Sequence, residues 1–536
     1  MQNCLLRRKR ALGREAGTLL LLVLAFGLTA LGPSSAQLRA AAVAYPRELG
    51  RIRFAVAGDV IPHQPVVQSA TAQKIAAPAV TAASPQPAET SPSATLPLPI
   101  ISSAPIASAA PQSPALLSPE KPMPAAAPVP TLAGNDGGWD ALFASVADAF
   151  RQADFGFVNL ETPVAPKHSR GSRPFQFDAP VDLLRALKSS GVKIVSFANN
   201  HVFDQGYAGF GESLEHLREE GLLFAGAGDS AEDAWKPVIL EKNGIKVGWL
   251  GMTRWLNGGR NQEQEKLPHV AFFPYPGEAP GAPGLSEEKL LEAIKAARAQ
   301  CDFLLISIHW GTEYAVAPRD ADVEIAHKML EAGAGAIIGH HPHVLQPIET
   351  YITQDKRTAV IFYSLGNFVS NQSSRYVQGL TPEKSGEQRD SLLARFSIIR
   401  KDYGPAGIRV ELGDLGIMPV WTENNRLQAA AKHVKTLIIR PVFIDREIAR
   451  LQARFDELTK LAATVSSAAA PDAPSAASSV ATTPAAPTAT PPANTLSPEQ
   501  KQELVEVSSQ LQLLQRRREL LLARTGDDYL VPPPTP

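Results

Sequence analysis

The feature that most narrows the fold is a repeated grammar: a short apolar run, then a polar residue, then a helical periodicity. Arg51–Ala57 ends in Gly58-Asp59, and Phe155–Val158 ends in Asn159-Leu160-Glu161. Lys193–Ala198 runs into Asn199-Asn200-His201, and Phe303–Ile308 stops at His309-Trp310. Ala336–Ile338 gives way to Gly339-His340-His341-Pro342-His343. Predominantly apolar runs of this length fit strands buried on both faces, as parallel sheets require. Helical patterns at Val181–Ser190, Gly209–Glu220, Glu287–Ala299 and Asp322–Ala332 are interleaved with them. This alternation predicts an α/β fold. Asn243-Gly244, between Pro237–Leu240 and Ile245–Leu250, predicts a hairpin. Pro347–Tyr351 with Thr358–Tyr363 predicts a second, and Leu392–Ile399 and Ile408–Leu412 add further strands.

Two stretches fall outside this grammar. From about Gln64 to Pro130, and again from about Ala463 to Thr495, Ala, Pro, Ser and Thr dominate. Such segments bury too little apolar surface to offset their ordering entropy, so both are predicted to be disordered. At the start, Arg7-Arg8-Lys9-Arg10 precedes an apolar run from about Thr18 to Leu31, with small residues at Ser34 and Ala36. The run is shorter than the roughly 20 residues that span a bilayer. It reads as an export signal cleaved before Gln37 rather than an uncleaved anchor, which predicts a periplasmic or envelope protein. The predicted organisation is a signal at 1–36 and an α/β domain at 37–443 with an insertion at 64–130. A helix at 444–462, a linker at 463–496 and a C-terminal helix at 497–524 follow. Ser497 is its predicted N-cap, Pro498 its first helical residue and Gln500 its capping-box partner. Its stripe of Leu504, Val507, Leu511, Leu514, Leu520 and Leu521 predicts packing or self-association.

Charge and cysteine content exclude several functions. Lys+Arg 52 against Asp+Glu 53 leaves a net charge of -1, and no basic, aromatic-rich patch stands out. Nucleic-acid binding is therefore not expected. The two cysteines, Cys4 and Cys301, make neither a disulfide framework nor a Cys-based zinc site. Metal chemistry here must use His, Asp, Glu and Asn.

The polar residues that end the strands are the chemical signal. In an α/β sheet the carboxyl ends of parallel strands converge on one edge, where ligands bind. Asp59, Glu161, Asn200, His201, His309 and the His340/His341/His343 run would then share one crevice. Singly, each has a plainer reading: a turn Asp, a loop Glu, an Asx-turn beside His201, a buried aromatic corner at His309. Three imidazoles at the mouth of an apolar strand resist such a reading. His341 and His343 alternate along an extended chain and are expected to point the same way. Asp204, three residues after His201, is placed to orient that imidazole. Oxygen donors mixed with imidazoles suit Mn, Fe or Zn. Arg254 and Arg319 read as surface or salt-bridge residues rather than substrate contacts.

Gly58-Asp59, Asn159-Leu160-Glu161-Thr162-Pro163, Ala198-Asn199-Asn200-His201 with Asp204 and Gly206, His309-Trp310-Gly311-Thr312-Glu313-Tyr314, Gly339-His340-His341-Pro342-His343-Val344-Leu345-Gln346 and Tyr363-Ser364-Leu365-Gly366-Asn367-Phe368 resemble, in order, the CapA family. These are poly-γ-glutamate capsule synthesis proteins related to calcineurin-like metallophosphoesterases. The resemblance covers about Arg51 to Pro419. It implies two packed β-sheets flanked by helices, with one or two divalent ions at the strand ends. Asp59, Glu161, Asn200, His309, His341 and His343 would be metal ligands, and His201 with Asp204 would protonate the leaving group. Glu313, His340 and Asn367 would contact substrate. The Pro/Ala insertion after Asp59 and Ser370, where an aromatic is common, depart from the family pattern. The implied function is envelope work in capsule or poly-γ-glutamate biosynthesis or export, on an anionic polymer or a phosphorylated small molecule. This would be done through a phosphoesterase-type site or as a non-catalytic part of a membrane synthesis complex.

Overall fold

In a computed structural model of the chain, residues 45–76, 138–277, 284–431, 434, 436–467 and 496–535 are described. The expected signal, most of the 64–130 insertion and most of the 463–496 linker lie outside them. The described residues of 48–401 and 409–536 form one compact unit. The described part of a second, residues 45–47 and 402–408, is a small turn in which Arg47 faces Asp402.

The strands are β1 (Arg47–Val60), β2 (Phe155–Leu160), β3 (Val192–Ser196), β4 (Leu223–Ala225), β5 (Ala227–Gly228), β6 (Val238–Lys242), β7 (Ile245–Thr253) and β8 (His269–Val270). They continue with β9 (Phe303–His309), β10 (Ala336–His340), β11 (Ile348–Ile352), β12 (Thr358–Phe362), β13 (Asn367–Val369), β14 (Asp390–Asp402), β15 (Ile408–Asn424) and β16 (Ile439–Phe443). Helices are α1 (Gln64–Ala76), α2 (Asp140–Phe143), α3 (Ala147–Arg151), α4 (Asp182–Ser189), α5 (Gly206–Glu219) and α6 (Ala231–Ala234). Beyond these come α7 (Glu287–Arg298), α8 (Asp320–Glu331), α9 (Arg426–Ala430), α10 (Ile444–Ser467) and α11 (Pro498–Thr525).

One sheet runs β16-β15-β14-β1-β2-β3-β4, with β13 also paired to β1; the other runs β11-β12-β10-β9-β7-β6. β1 to β4 are mutually parallel, as are β12, β10, β9 and β7. Side-chain alternation sorts the core. Ile52, Phe54 and Val56 of β1 meet Val247 and Trp249 of β7, and Phe303 and Leu305 of β9, between the sheets. The intervening Ala55 and Ala57 pack outward with the α1–α5 helices, while Leu304, Ile306 and Ile308 face α7 and α8. The result is a helix-flanked sandwich of two sheets, the metallophosphoesterase-like architecture. The Asn243-Gly244 turn has φ of 52° and 71°, the left-handed pair that two-residue hairpins need.

Two boundaries differ from expectation. The first thirteen residues assigned to the disordered insertion form α1, because Val66 and Ala70, one helical turn apart, are fully buried against the first sheet's outer core. α10 continues to Ser467, past the predicted end at Ala462. α11 has the predicted capping box, with Ser497 and Gln500 bonded reciprocally. It packs onto the sandwich through Val507, Leu511, Leu514 and Leu521, alongside a fully buried Arg517. Among the described residues, no helix is long and apolar enough to cross a membrane.

Candidate metal and active site

Strand register assembles the site. Asp59 of β1 is paired with Asn159 of β2 on one side and Asn367 of β13 on the other. His309 of β9 is in register with His340 of β10. Phe157, Asn159 and Glu161 alternate along β2 and its exit, so all three face the other sheet. Two glycines make this closeness possible. A Cβ on Gly58 would sit 1.8 Å from the Gly366 oxygen, and one on Gly339 would sit 2.1 Å from the Tyr363 oxygen.

At this mouth the carboxylates and imidazoles converge. Asn159 Nδ2 donates to Asp59 Oδ1 at 2.8 Å. His343 Nδ1 lies 3.2 Å from Asp59 Oδ2 and 3.0 Å from Asn367 Oδ1. His309 Nε2 is 2.9 Å from Asn200 Oδ1 and 3.1 Å from His341 Nδ1. Glu161 Oε1 is fully buried and accepts no hydrogen bond. Around it stand His309 Nε2 at 3.6 Å, His343 Nε2 at 3.8 Å and His201 Nε2 at 3.8 Å.

Ligand atoms of Asp59, Glu161 and His343 lie within 4.8 Å of one another, as do those of Glu161, His309 and His341, and of Glu313, His341 and His343. A buried carboxylate oxygen costs about 1–3 kcal/mol when left without a partner. Ringed by imidazole nitrogens just beyond hydrogen-bond reach, this one fits a divalent cation. The donor set, oxygen and imidazole without thiolate, matches such an ion.

The electrostatics agree. Burial opposes ionisation of Asp59, yet the adjacent His340 and His343 hold its carboxyl well below the usual range. Burial, then the Asp59 charge, pushes Glu161 well above it. Burial and neighbouring imidazoles keep His309 well below the usual histidine value and His341 at about 3. Neutral imidazoles are the ligating form.

Beside this cluster, His201 Nδ1 meets Asp204 Oδ2 at 2.7 Å, and Phe177 packs on the ring at 4.2 Å. A cleft of about 560 Å³ reaches His341 and is lined by Asn200, Trp255, Asn257, Glu313 and Arg319. The Arg319 and Arg254 guanidiniums both lie over the Tyr275 ring, at 3.9 and 3.7 Å. Arg254 is buried and faces Asp322, whereas Arg319 reaches the cleft.

The structure brings Asp59, Glu161, Asn200, His201, Asp204, His309, His341 and His343 to one rim. It departs from expectation at three points. His341 and His343 are not on extended chain: their φ values of 96° and 59° are left-handed, and a bend around Pro342 turns both rings inward. Such strain, of order 1–3 kcal/mol per residue, persists where surrounding structure enforces it. His340, expected to touch substrate, shares the inward face of Ala336 and Ile338 and is buried against Phe157 behind Asp59. Asn367, also expected at the substrate, is buried and holds His343 instead, with its amide donating to Gln372 and to the Gln388 carbonyl. Glu313 is exposed and does line the cleft. Sequence reasoning passed over Asn159, whose signal was an amide inside an otherwise apolar strand. It also passed over Trp255 and Asn257, which carried none.

Residues 53–372 match the model of a family described as Bacterial capsule synthesis protein PGA_cap. The chain is 32% identical over 270 residues to the PGA biosynthesis protein CapA of Bacillus subtilis, covering 50% of this chain and 63% of that protein. It is 30% identical over 280 residues to the Capsule biosynthesis protein CapA of Bacillus anthracis, covering 51% and 61%. A probable polyglutamine synthesis accessory protein of Mycobacterium tuberculosis is 25% identical over 222 residues, covering 41% and 56%. The chain thus spans less than two thirds of the length of each of these relatives.

Proposed function

This chain belongs to the bacterial capsule synthesis protein family, and on that premise we propose that it acts in the cell envelope in capsule or poly-γ-glutamate biosynthesis. Its strand-end cluster serves as a metal-dependent, phosphoesterase-type hydrolase site. The observation that carries the second part is the orphaned Glu161 Oε1 among His201, His309 and His343. Asp59, Glu161, Asn200, His309, His341 and His343 would hold one or two ions of Mn, Fe or Zn. When bound, a divalent cation lowers the pKa of its water from 15.7 to about 7 and stabilises charge on a substrate oxygen.

The chain's own residues do the remaining work. Asp204 and Phe177 fix the His201 ring, leaving Nε2 turned toward the cluster. With Nδ1–H given to Asp204, the second ring nitrogen carries the proton that the leaving oxygen takes. Asn367 and Asn159 hold His343 and Asp59 in place. The Asn200–Arg319 cleft admits an anionic substrate, a polymer chain or a phosphorylated small molecule. The basic-then-apolar stretch at 7–31 supports export.

Hydrolysis of an aryl phosphate, with manganese or with chelator, tests the site. Metal-dependent turnover that disappears in His341→Ala is expected; turnover indifferent to both refutes it. The relatives' names speak of synthesis and not of hydrolysis, which supports a second reading as a non-catalytic component of a membrane synthesis complex. A His341→Ala protein that loses turnover yet restores polymer production in a deletion strain would favour that reading.

A further inference from the structure

One surface segment carries charges that the strand-end cluster does not use. Between Ala165 and Phe177 the chain makes an exposed excursion carrying Lys167, Arg170 and Arg173, with Phe175 at its tip. It holds no carboxylate of its own, and no carboxylate pairs with these three cations among the described residues. Its one paired basic group is His168, which meets Glu212 at 2.8 Å.

The backbone beneath is tightly fastened. Buried Glu212 of α5 accepts the Lys167 and His168 amides at 2.9 and 3.0 Å. The Gln205 side chain accepts from the Arg170 amide and donates to the Phe177 carbonyl, closing the two limbs. Asp204, the partner of His201, accepts the Phe177 amide at 2.7 Å. The carboxylates at the base are therefore occupied by backbone, and the cations face outward on a fixed frame.

The tip is strained and apolar. Arg173 and Gln176 exchange backbone hydrogen bonds around Pro174-Phe175, and Phe175 has φ of 63° with 78% exposure. A bulky residue in the left-handed region costs roughly 1–2 kcal/mol. Here no burial offsets it. Backbone outliers of this kind cluster at ligand clamps and active sites.

We infer that the 166–176 loop binds an extended carboxylate-bearing chain, a poly-γ-glutamate strand, and leads it to the His201 corner. Each unit of such a chain offers one carboxylate, for Lys167, Arg170 or Arg173, and two methylenes, for the face of Phe175. The loop's second limb ends at Phe177 on the His201 ring, and Arg170 lies over Gly206, two residues past Asp204. A strand held on the loop thus ends beside the cluster. An anionic membrane fits less well, because surface recognition uses about 4–8 clustered cations and this loop has three. The inference rests on the polymer-pathway reading above.

The test is fluorescence anisotropy of labelled poly-γ-glutamate on the full chain, at low and high salt, with phosphatidylglycerol vesicles and neutral dextran as alternatives. Wild type should bind the polyanion in a salt-sensitive way and ignore dextran. Lys167→Glu with Arg173→Glu should weaken binding about tenfold, equivalent to roughly 1.4 kcal/mol, and Phe175→Ser should weaken it less. The charge-reversed protein should keep its thermal unfolding curve and its hydrolysis of small aryl phosphate, while His341→Ala should keep polymer binding. Undiminished binding by the charge-reversed protein overturns the loop assignment and leaves the hydrolase reading intact. Vesicle binding without polymer binding overturns it in favour of a membrane. Polymer binding that persists where metal-dependent turnover is absent upholds the loop and sinks only the hydrolase.

Discussion

Replacing Glu161 by Gln should separate the requirements of a bound cation from those of the fold. Glu161 Oε1 is buried and accepts no hydrogen bond from protein, and its carboxyl is held toward the neutral form. Glutamine keeps the shape. Its oxygen can take the long 3.4 Å contact from Asn159 Nδ2, and its amide nitrogen then faces imidazole nitrogens at 3.6 to 3.8 Å. The substitution removes an orphaned acceptor worth about 1–3 kcal/mol, so in chelator the variant should unfold at or above the wild-type temperature. With cation the order reverses. At a hundredfold excess over Kd, binding adds about 2.7 kcal/mol to the wild type, whereas a hundredfold loss of affinity leaves the variant about 0.4 kcal/mol. Thermal unfolding followed by circular dichroism, in EDTA and in manganese, reads both signs. A variant that melts well below wild type in EDTA, or that keeps the full manganese shift, refutes the reasoning.

Three further outcomes follow from named contacts. His201→Asn should cut turnover by about 10²–10⁴ while leaving metal content unchanged by elemental analysis, and the loss should be greater for alkyl than for aryl phosphates. Metal uptake at weakly acid pH should release a proton from Glu161 and none from His309 or His341, which are already neutral. Affinity should therefore rise with pH until Glu161 is ionised, and calorimetry in buffers of differing ionisation enthalpy would show no proton release, or a release unchanged in Glu161→Gln, if this were wrong. Arg517→Ala leaves Asp390 buried without its partner, a loss of about 3–5 kcal/mol in urea unfolding that pairing Arg517→Met with Asp390→Leu should largely recover.

The sheet-and-helix order and the rim were legible because the mainly apolar runs of β1, β2, β9 and β10 give way abruptly to polar residues at their carboxyl ends. Nothing but the strand end explains that switch at Asp59, Glu161 or His309. What stayed hidden depends on partners distant in sequence. β4, β5, β8 and β13 span three residues or fewer, too few for any period to show. The inward face of His340 could have been read from Ala336 and Ile338, four and two residues earlier. That Asn367 would grip His343 could not, since it depends on β13 lying beside β1. α1 resembled filler because its buried apolar residues among those described, Val66 and Ala70, are small and aliphatic among Ala, Ser and Thr. The loop at 166–176 escaped notice because its three cations are separated by His168, Ser169, Gly171 and Ser172, and only the fold shows them on one fastened, exposed excursion.

α11 begins 126 positions after the family match ends at 372, yet it braces the part of the sandwich that carries His343. Arg517 grips Asp390 and Glu383, and Arg524 reaches Glu387 and the Leu345 carbonyl, two residues from His343. Gln388, in that same segment, receives the Asn367 amide that steadies His343. A shortened chain trimmed to the family-matched portion would therefore lose the buttress behind one of its proposed ligands. Inactivity in such a fragment would report a missing support, not a missing reaction.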